Sequence, residues 1–244
     1  MIPIDELLPL IFESLHPALQ AEFAAWVRAS KPFRAFAEDY RGKIRKKLRT
    51  VQDADALKDL RLELEIAYRL VGEKRFTVKY EQSGVGKQRA PDFQLLFREN
   101  TPLNVEVTRL RFTGGPSVAG ERPIVYKLME TMGDKVGQMA PGMINVLLIG
   151  VEIPVVAADL AAAGKQIKLL ADQKQEAFFT RRGFANAADF LRQYAHLSAV
   201  IARRTDSAAS QSEALLIWLN PNARHPLPKD IQTALERALT PPPA

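Results

Sequence analysis

The chain of 244 residues contains no cysteine. That excludes a disulfide framework, a thiolate metal site, an iron–sulfur cluster and a cysteine nucleophile. Histidine is scarce too: His16, His196 and His225 lie far apart, with no HExxH-type spacing, which argues against zinc. A metal here would sit on oxygen ligands, as Mg²⁺ or Mn²⁺ do on carboxylates. Long apolar runs are missing. The most apolar stretch, 143–163, is interrupted by Asn145, Glu152, Pro154 and Asp159, so it reads as a buried strand followed by a helix, not a membrane span. Residues 1–12 carry Asp5 and Glu6 and no basic stretch, unlike a secretory signal. The expectation is a cytoplasmic protein with no membrane partner. Neither a GxSxG elbow nor a GxGxxG fingerprint occurs, and Gly84-Val85-Gly86-Lys87 lacks the GxxxxGK[ST] spacing of a phosphate loop, leaving a tight turn.

What is present is an ordinary globular composition, 47% apolar, with 34 Lys+Arg against 28 Asp+Glu and a net charge of +6. At about 150 residues per domain, this length allows one or two domains. Without repeats or a low-complexity linker, a single elaborated domain is expected, with a helical cap over 1–56, an α/β core over 57–152 and a helical elaboration with one added strand over 153–240. The charge is compatible with a polyanion partner, and the sequence leaves a homodimer open. Six cations fall between residues 41 and 49, namely Arg41, Lys43, Arg45, Lys46, Lys47 and Arg49. On a helix they form either a solvated face or a phosphate-contacting patch.

Leu57, Leu60, Leu64, Ala67, Tyr68 and Val71 recur at helical spacing over 56–71, with Asp53 or Asp55 as N-cap and Gly72 as the stop. Alternating segments at 75–81, 91–98 and 103–112 then predict three strands in an antiparallel meander, with a turn at 83–87. A Gly-rich loop at 113–120 leads to a helix over 122–139. The nearly all-apolar 144–151 predicts a strand covered on both faces. Further helices are expected over 154–163, 165–181 and 187–203, a buried strand over 214–219 containing Trp218, a helix over 231–239, and a frayed tail at 241–244.

Two acids stand out within this pattern. Asp92 opens one strand and Glu106 lies in the middle of the next. Alternation puts Asn104, Glu106 and Thr108 on one face and Val105 and Val107 on the other. If the valines face the core, the polar trio converges on a cleft, where Asp92 and Glu106 could share one divalent cation. Without a cation, two such carboxylates would repel, and one would take up a proton.

Pro91-Asp92, thirteen intervening residues, and Glu106-Val107-Thr108 resemble the bipartite motif of the PD-(D/E)XK nuclease superfamily. The resemblance covers about residues 57–152. It implies a restriction-endonuclease-like fold, a three-layer α/β/α sandwich with a mixed central sheet, here with N- and C-terminal helical elaborations. It also implies a metal-dependent nuclease hydrolysing phosphodiester bonds in DNA or RNA. Asp92 and Glu106 would bind Mg²⁺ or Mn²⁺ together with an acid from the preceding helix, matched by Glu63 and second by Glu65. Lys135 and Gln138 match the supporting polar residues of the following helix. The motif's third position, a lysine in the family, is Thr108, which is neutral and short. Lys135 or Lys87 could replace that lysine, whereas Arg109, though adjacent, points to the opposite face. Otherwise the chain is a catalytically inactive module that binds nucleic acid or a protein. Nucleic acid would be held by Arg45, Lys46, Lys47, Arg49, Lys87, Arg109 and Arg111. A third reading is an unrelated α/β domain in which Glu106 merely faces solvent.

Overall fold

The computed structural model describes residues 2–81, 90–111, 123–205 and 215–240. The expected turn at 83–87 with Lys87, the Gly-rich loop at 113–120 and the tail at 241–244 lie outside the described residues. Four helices come first: α1 (Ile4–Phe12), α2 (Pro17–Ala29), α3 (Lys31–Asp39) and α4 (Arg41–Thr50). The long α5 (Ala54–Gly72) follows, capped by the Asp53 carboxylate, which accepts the Ala56 N–H at 2.7 Å. Next come β1 (Phe76–Tyr80), β2 (Phe93–Phe97), β3 (Thr101–Arg109), α6 (Pro123–Lys135) with a 3-10 turn at Val136–Gln138, and β4 (Ile144–Val151). The chain continues through α7 (Ala157–Asp172), α8 (Glu176–Thr180), α9 (Ala187–Tyr194), β5 (Leu197–Arg204), β6 (Leu216–Leu219) and α10 (Lys229–Leu239). Among the described residues no helix is long and apolar enough to cross a membrane.

Among the described residues, six strands form one open sheet in sequence order. β1, β2 and β3 are antiparallel, β3, β4 and β5 run parallel, and β6 returns antiparallel to β5. Parallel neighbours need crossovers, which α6 and α7–α9 provide. The alternation of the strands separates two apolar cores. Leu103, Val105, Val107, Val146, Leu148 and Ile201 join α1–α5 and α10 on one face. Leu147, Ile149, Val151, Val200 and Ala202 join α6–α9 on the other. This is an α/β fold on a mixed sheet covered by helices on both faces.

The cap of α1–α4 is tied to the sheet by aromatic contacts. Phe23, Phe33, Phe36, Tyr80 and Phe93 form a continuous series, with ring centroids 5.1–5.8 Å apart. These contacts hold α3 against the end of β1, and Tyr40, just ahead of α4, packs edge-on to Tyr80 at 5.6 Å.

Two expectations are corrected. The helix expected over 187–203 ends at Tyr194, and β5 begins at Leu197. An apolar run buried on both faces has no period to separate strand from helix, and Phe190 and Tyr194 prolonged the helical spacing. The C-terminal part therefore adds two strands to the sheet, not one. The second, β6, is an edge strand and only partly buried. Its Trp218 rests on Gly164 of α7, where a Cβ would come 2.6 Å from the indole.

Gly150 fixes how closely α5 approaches the sheet. A Cβ on this β4 residue would collide with Leu62 of α5 and lie 2.8 Å from Thr205 Cγ2. Gly150→Ala is therefore expected to destabilise by about 1–3 kcal/mol. Gly42 on α4 has nothing within 4 Å of such a Cβ. Gly42→Ala should shift stability the other way, by about 0.5–1 kcal/mol. Urea denaturation of both variants checks the opposite signs.

Candidate functional site

The meander aligns three acids in one row. One step beyond the Phe93–Val105 pair, the β2–β3 register sets Asp92 opposite Glu106. One step beyond Tyr80–Phe93, the β1–β2 register sets Glu81 opposite Asp92, and the Glu81 N–H donates to the Asp92 carbonyl at 2.9 Å. Glu81 turns there with φ of 41°, ending β1. Asp92 and Glu106 are 8% and 4% exposed, so neither merely faces solvent. The Val107 N–H donates to Asp92 Oδ2 at 2.8 Å and fixes that carboxylate at β3.

α5 brings Glu63 to the same place. Carboxylate oxygens of Glu63, Glu81 and Asp92 lie within 4.8 Å of one another. Glu106 is not part of this trio. Its Oε1 accepts from Lys135 Nζ, at the last turn of α6, at 2.9 Å. The acids expected to converge were Glu63, Asp92 and Glu106. The structure unites the first two, adds Glu81, and pairs Glu106 with the lysine of the following helix. Glu65, the second choice on α5, is buried and taken up by Arg203 at 2.6 Å and by Arg61 and Arg69 at 3.5 Å.

The remaining expected residues are distributed as follows. Val105 and Val107 face the α5 core, as the alternation implies. Asn104 does not join the acids; its Nδ2 donates to Asn145 Oδ1 at 3.0 Å, linking β3 to β4. Thr108 is half-buried two residues beyond Glu106 on the same strand face, in register with Ile149. Gln138 lies in the 3-10 turn after α6, with its Oε1 buried and unpartnered among the described residues.

The cations assigned to nucleic acid are mostly engaged within the protein. Arg109 is buried and pairs with Asp59 at 2.9 Å, Glu152 at 3.1 Å and Asp55 at 2.5 Å, on the α5 side of the sheet. Arg111 pairs with Asp59. Arg49 forms a two-point pair with Glu13 at 2.6 and 2.7 Å, and Arg45 lies 3.9 Å from the same carboxylate. Lys46 is exposed. Lys47 points inward: its ammonium pairs with Glu63 and, at 2.7 Å, with Glu81, while standing 5.0 Å from the Tyr80 ring centroid. No unbroken positive stripe results on α4.

The electrostatics follow from this crowding. Burial, together with the charges of Glu63 and Glu106, pushes the Asp92 carboxyl up to about 7. Burial works against the Lys47 ammonium, but Glu63 and Glu81 more than offset it and raise its pKa. Burial and the neighbouring Glu63 push the Tyr80 phenol well up, so it stays neutral.

Glu81 and the inward position of Lys47 were missed from sequence. The signal for Glu81 was available, since an antiparallel meander aligns one residue from each strand. No protein-family model, curated protein or solved structure matches this chain.

Proposed function

We propose that this protein is a Mg²⁺- or Mn²⁺-dependent phosphodiesterase that cleaves DNA or RNA, built on a restriction-endonuclease-like arrangement. The observation that carries this reading is the Lys135 ammonium on Glu106. It supplies from α6 the cation that Thr108 does not supply from β3. The order of elements agrees with it: a helix bearing Glu63, a three-stranded antiparallel meander bearing Glu81, Asp92 and Glu106, then a helix bearing Lys135 and a parallel strand.

The donor set fits a hard divalent cation. Glu63, Glu81 and Asp92 offer only oxygen, within reach of one another. Burial first, and then the charges of Glu63 and Glu106, raise the Asp92 pKa, and a bound cation would relieve that surplus negative charge. When bound, the ion lowers the pKa of a coordinated water and neutralises charge on the scissile phosphate. The chain's own groups do the rest. Val107 N–H orients Asp92, Glu106 holds Lys135 in place, and Lys135 presents a fixed positive charge to the phosphate oxygens. The Thr108 hydroxyl can donate a hydrogen bond near Glu106. Exposed Lys46 and Arg49 and the partly exposed Arg45 are α4 cations placed to meet a phosphate backbone, so binding should weaken with salt.

The test is cleavage of supercoiled DNA and of end-labelled RNA in Mg²⁺, Mn²⁺ or EDTA. Cleavage is expected with either ion and not in EDTA, and it should vanish in Glu106→Gln. Failure to cut either polymer with either ion, or cutting that survives Glu106→Gln, overturns the proposal. Thr108 favours a second reading, an inactive module of the same fold that binds nucleic acid or a protein. Calorimetry showing no Mn²⁺ uptake, with retained salt-sensitive binding of nucleic acid, would favour it.

A further inference from the structure

Lys43 and Lys47 lie one turn apart on α4, yet they serve different purposes. The Lys43 ammonium is bound to backbone, donating to the carbonyls of Tyr80 at 2.9 Å and Glu81 at 2.6 Å. It clamps α4 to the end of β1 without using any carboxylate. The Lys47 ammonium instead lies between the side chains of Glu63 and Glu81, two of the three gathered acids. That ammonium also stands 5.0 Å from the Tyr80 ring centroid, and the Lys47 side chain is 25% exposed, which leaves a path outward.

We infer that Lys47 is an internal counter-ion that competes with the divalent cation for Glu63 and Glu81. In the metal-free chain it holds the two acids together against their mutual repulsion. When the cation takes those carboxylates, Lys47 swings out, and α4 stays in place because Lys43 anchors it independently. Metal uptake thereby exchanges one buried positive charge for another. This rests on the reading of the acids as metal ligands given above.

The experiment is Mn²⁺ binding by isothermal calorimetry with the full chain at pH 7.5. Lys47→Met keeps the apolar stem and removes the charge, so it should bind Mn²⁺ about tenfold more tightly or better, the effect of deleting one like charge at contact distance in a half-buried site. Lys47→Arg should stay near the wild type. Lys165→Met, an exposed α7 position, carries the same change in net charge and should leave the affinity unchanged. In the wild-type chain, Mg²⁺ should speed solvent exchange of the Lys47 ammonium protons, read by nitrogen-15 NMR, which keeps the test available if Lys47→Met fails to fold. A folded Lys47→Met that binds Mn²⁺ no more tightly than the wild type, or ammonium exchange unmoved by saturating Mg²⁺, overturns the competition but leaves the metal reading standing. Absence of Mn²⁺ binding in every variant overturns both.

Discussion

Asp92→Asn is expected to abolish metal-dependent cleavage while making the metal-free protein more stable at pH 8. The loss follows from removing the charge of the carboxylate proposed as a metal ligand, which the backbone N–H of Val107 holds in place, and should be at least 10²–10³-fold in rate. The gain follows from the carboxyl's pKa of about 7 in the folded chain, against about 3.9 for an unfolded aspartate. Between those values the folded state binds the proton that the unfolded state releases. Stability attributable to Asp92 is thus intact below about pH 4, falls as pH rises, and is fully lost above about pH 7. The penalty at pH 8 is on the order of 4 kcal/mol at most. Asparagine keeps the acceptor for Val107 and carries no charge to repel Glu63 and Glu106. Urea denaturation without metal should show Asp92→Asn ahead of wild type by roughly 2–3 kcal/mol at pH 8 and level with it at pH 4. A variant less stable than wild type at both pH values contradicts the crowding of charge at this site.

Lys135→Met is the second large effect. Glu106 is 5% exposed in its side chain and Lys135 18%, so removing the lysine leaves a buried carboxylate without its cation. That should destabilise the fold by about 2–4 kcal/mol. Cleavage should also drop by about 10²-fold or more, because the fixed positive charge is gone. These two losses separate in the double variant Lys135→Met/Glu106→Gln. With both charges removed, much of the stability should return while cleavage stays at or below the level of Lys135→Met. If cleavage returns along with stability, the pair is only structural.

Much of this site was legible from local pattern, because period-two alternation is a property of the strand itself. Val105 and Val107 against Glu106 and Thr108 sort to the two faces as their spacing requires, and Arg109 falls on the α5 side for the same reason. The thirteen residues between Asp92 and Glu106 suit a hairpin whose register sets the two opposite. Glu81 was harder to see, because its place depends on the pairing of β1 with β2 across the long connection between them. The inward turn of Lys47 depends on how α4 docks on the end of β1 through Lys43, next to the Phe36 and Tyr40 contacts with Tyr80, tertiary contacts that no helical period encodes. In β5 the code is weak in another way: a strand buried on both faces carries no alternation, and only its parallel pairing with β4 distinguishes it from an extension of α9.

The most direct measurement is anomalous scattering from crystals soaked in Mn²⁺. The expected result is a peak among Glu63, Glu81 and Asp92, with carboxylate oxygens of Asp92 and at least one of the glutamates at about 2.0–2.3 Å, and the Lys47 ammonium displaced from them. A saturating soak that leaves this place empty, with Lys47 still between Glu63 and Glu81, would contradict it.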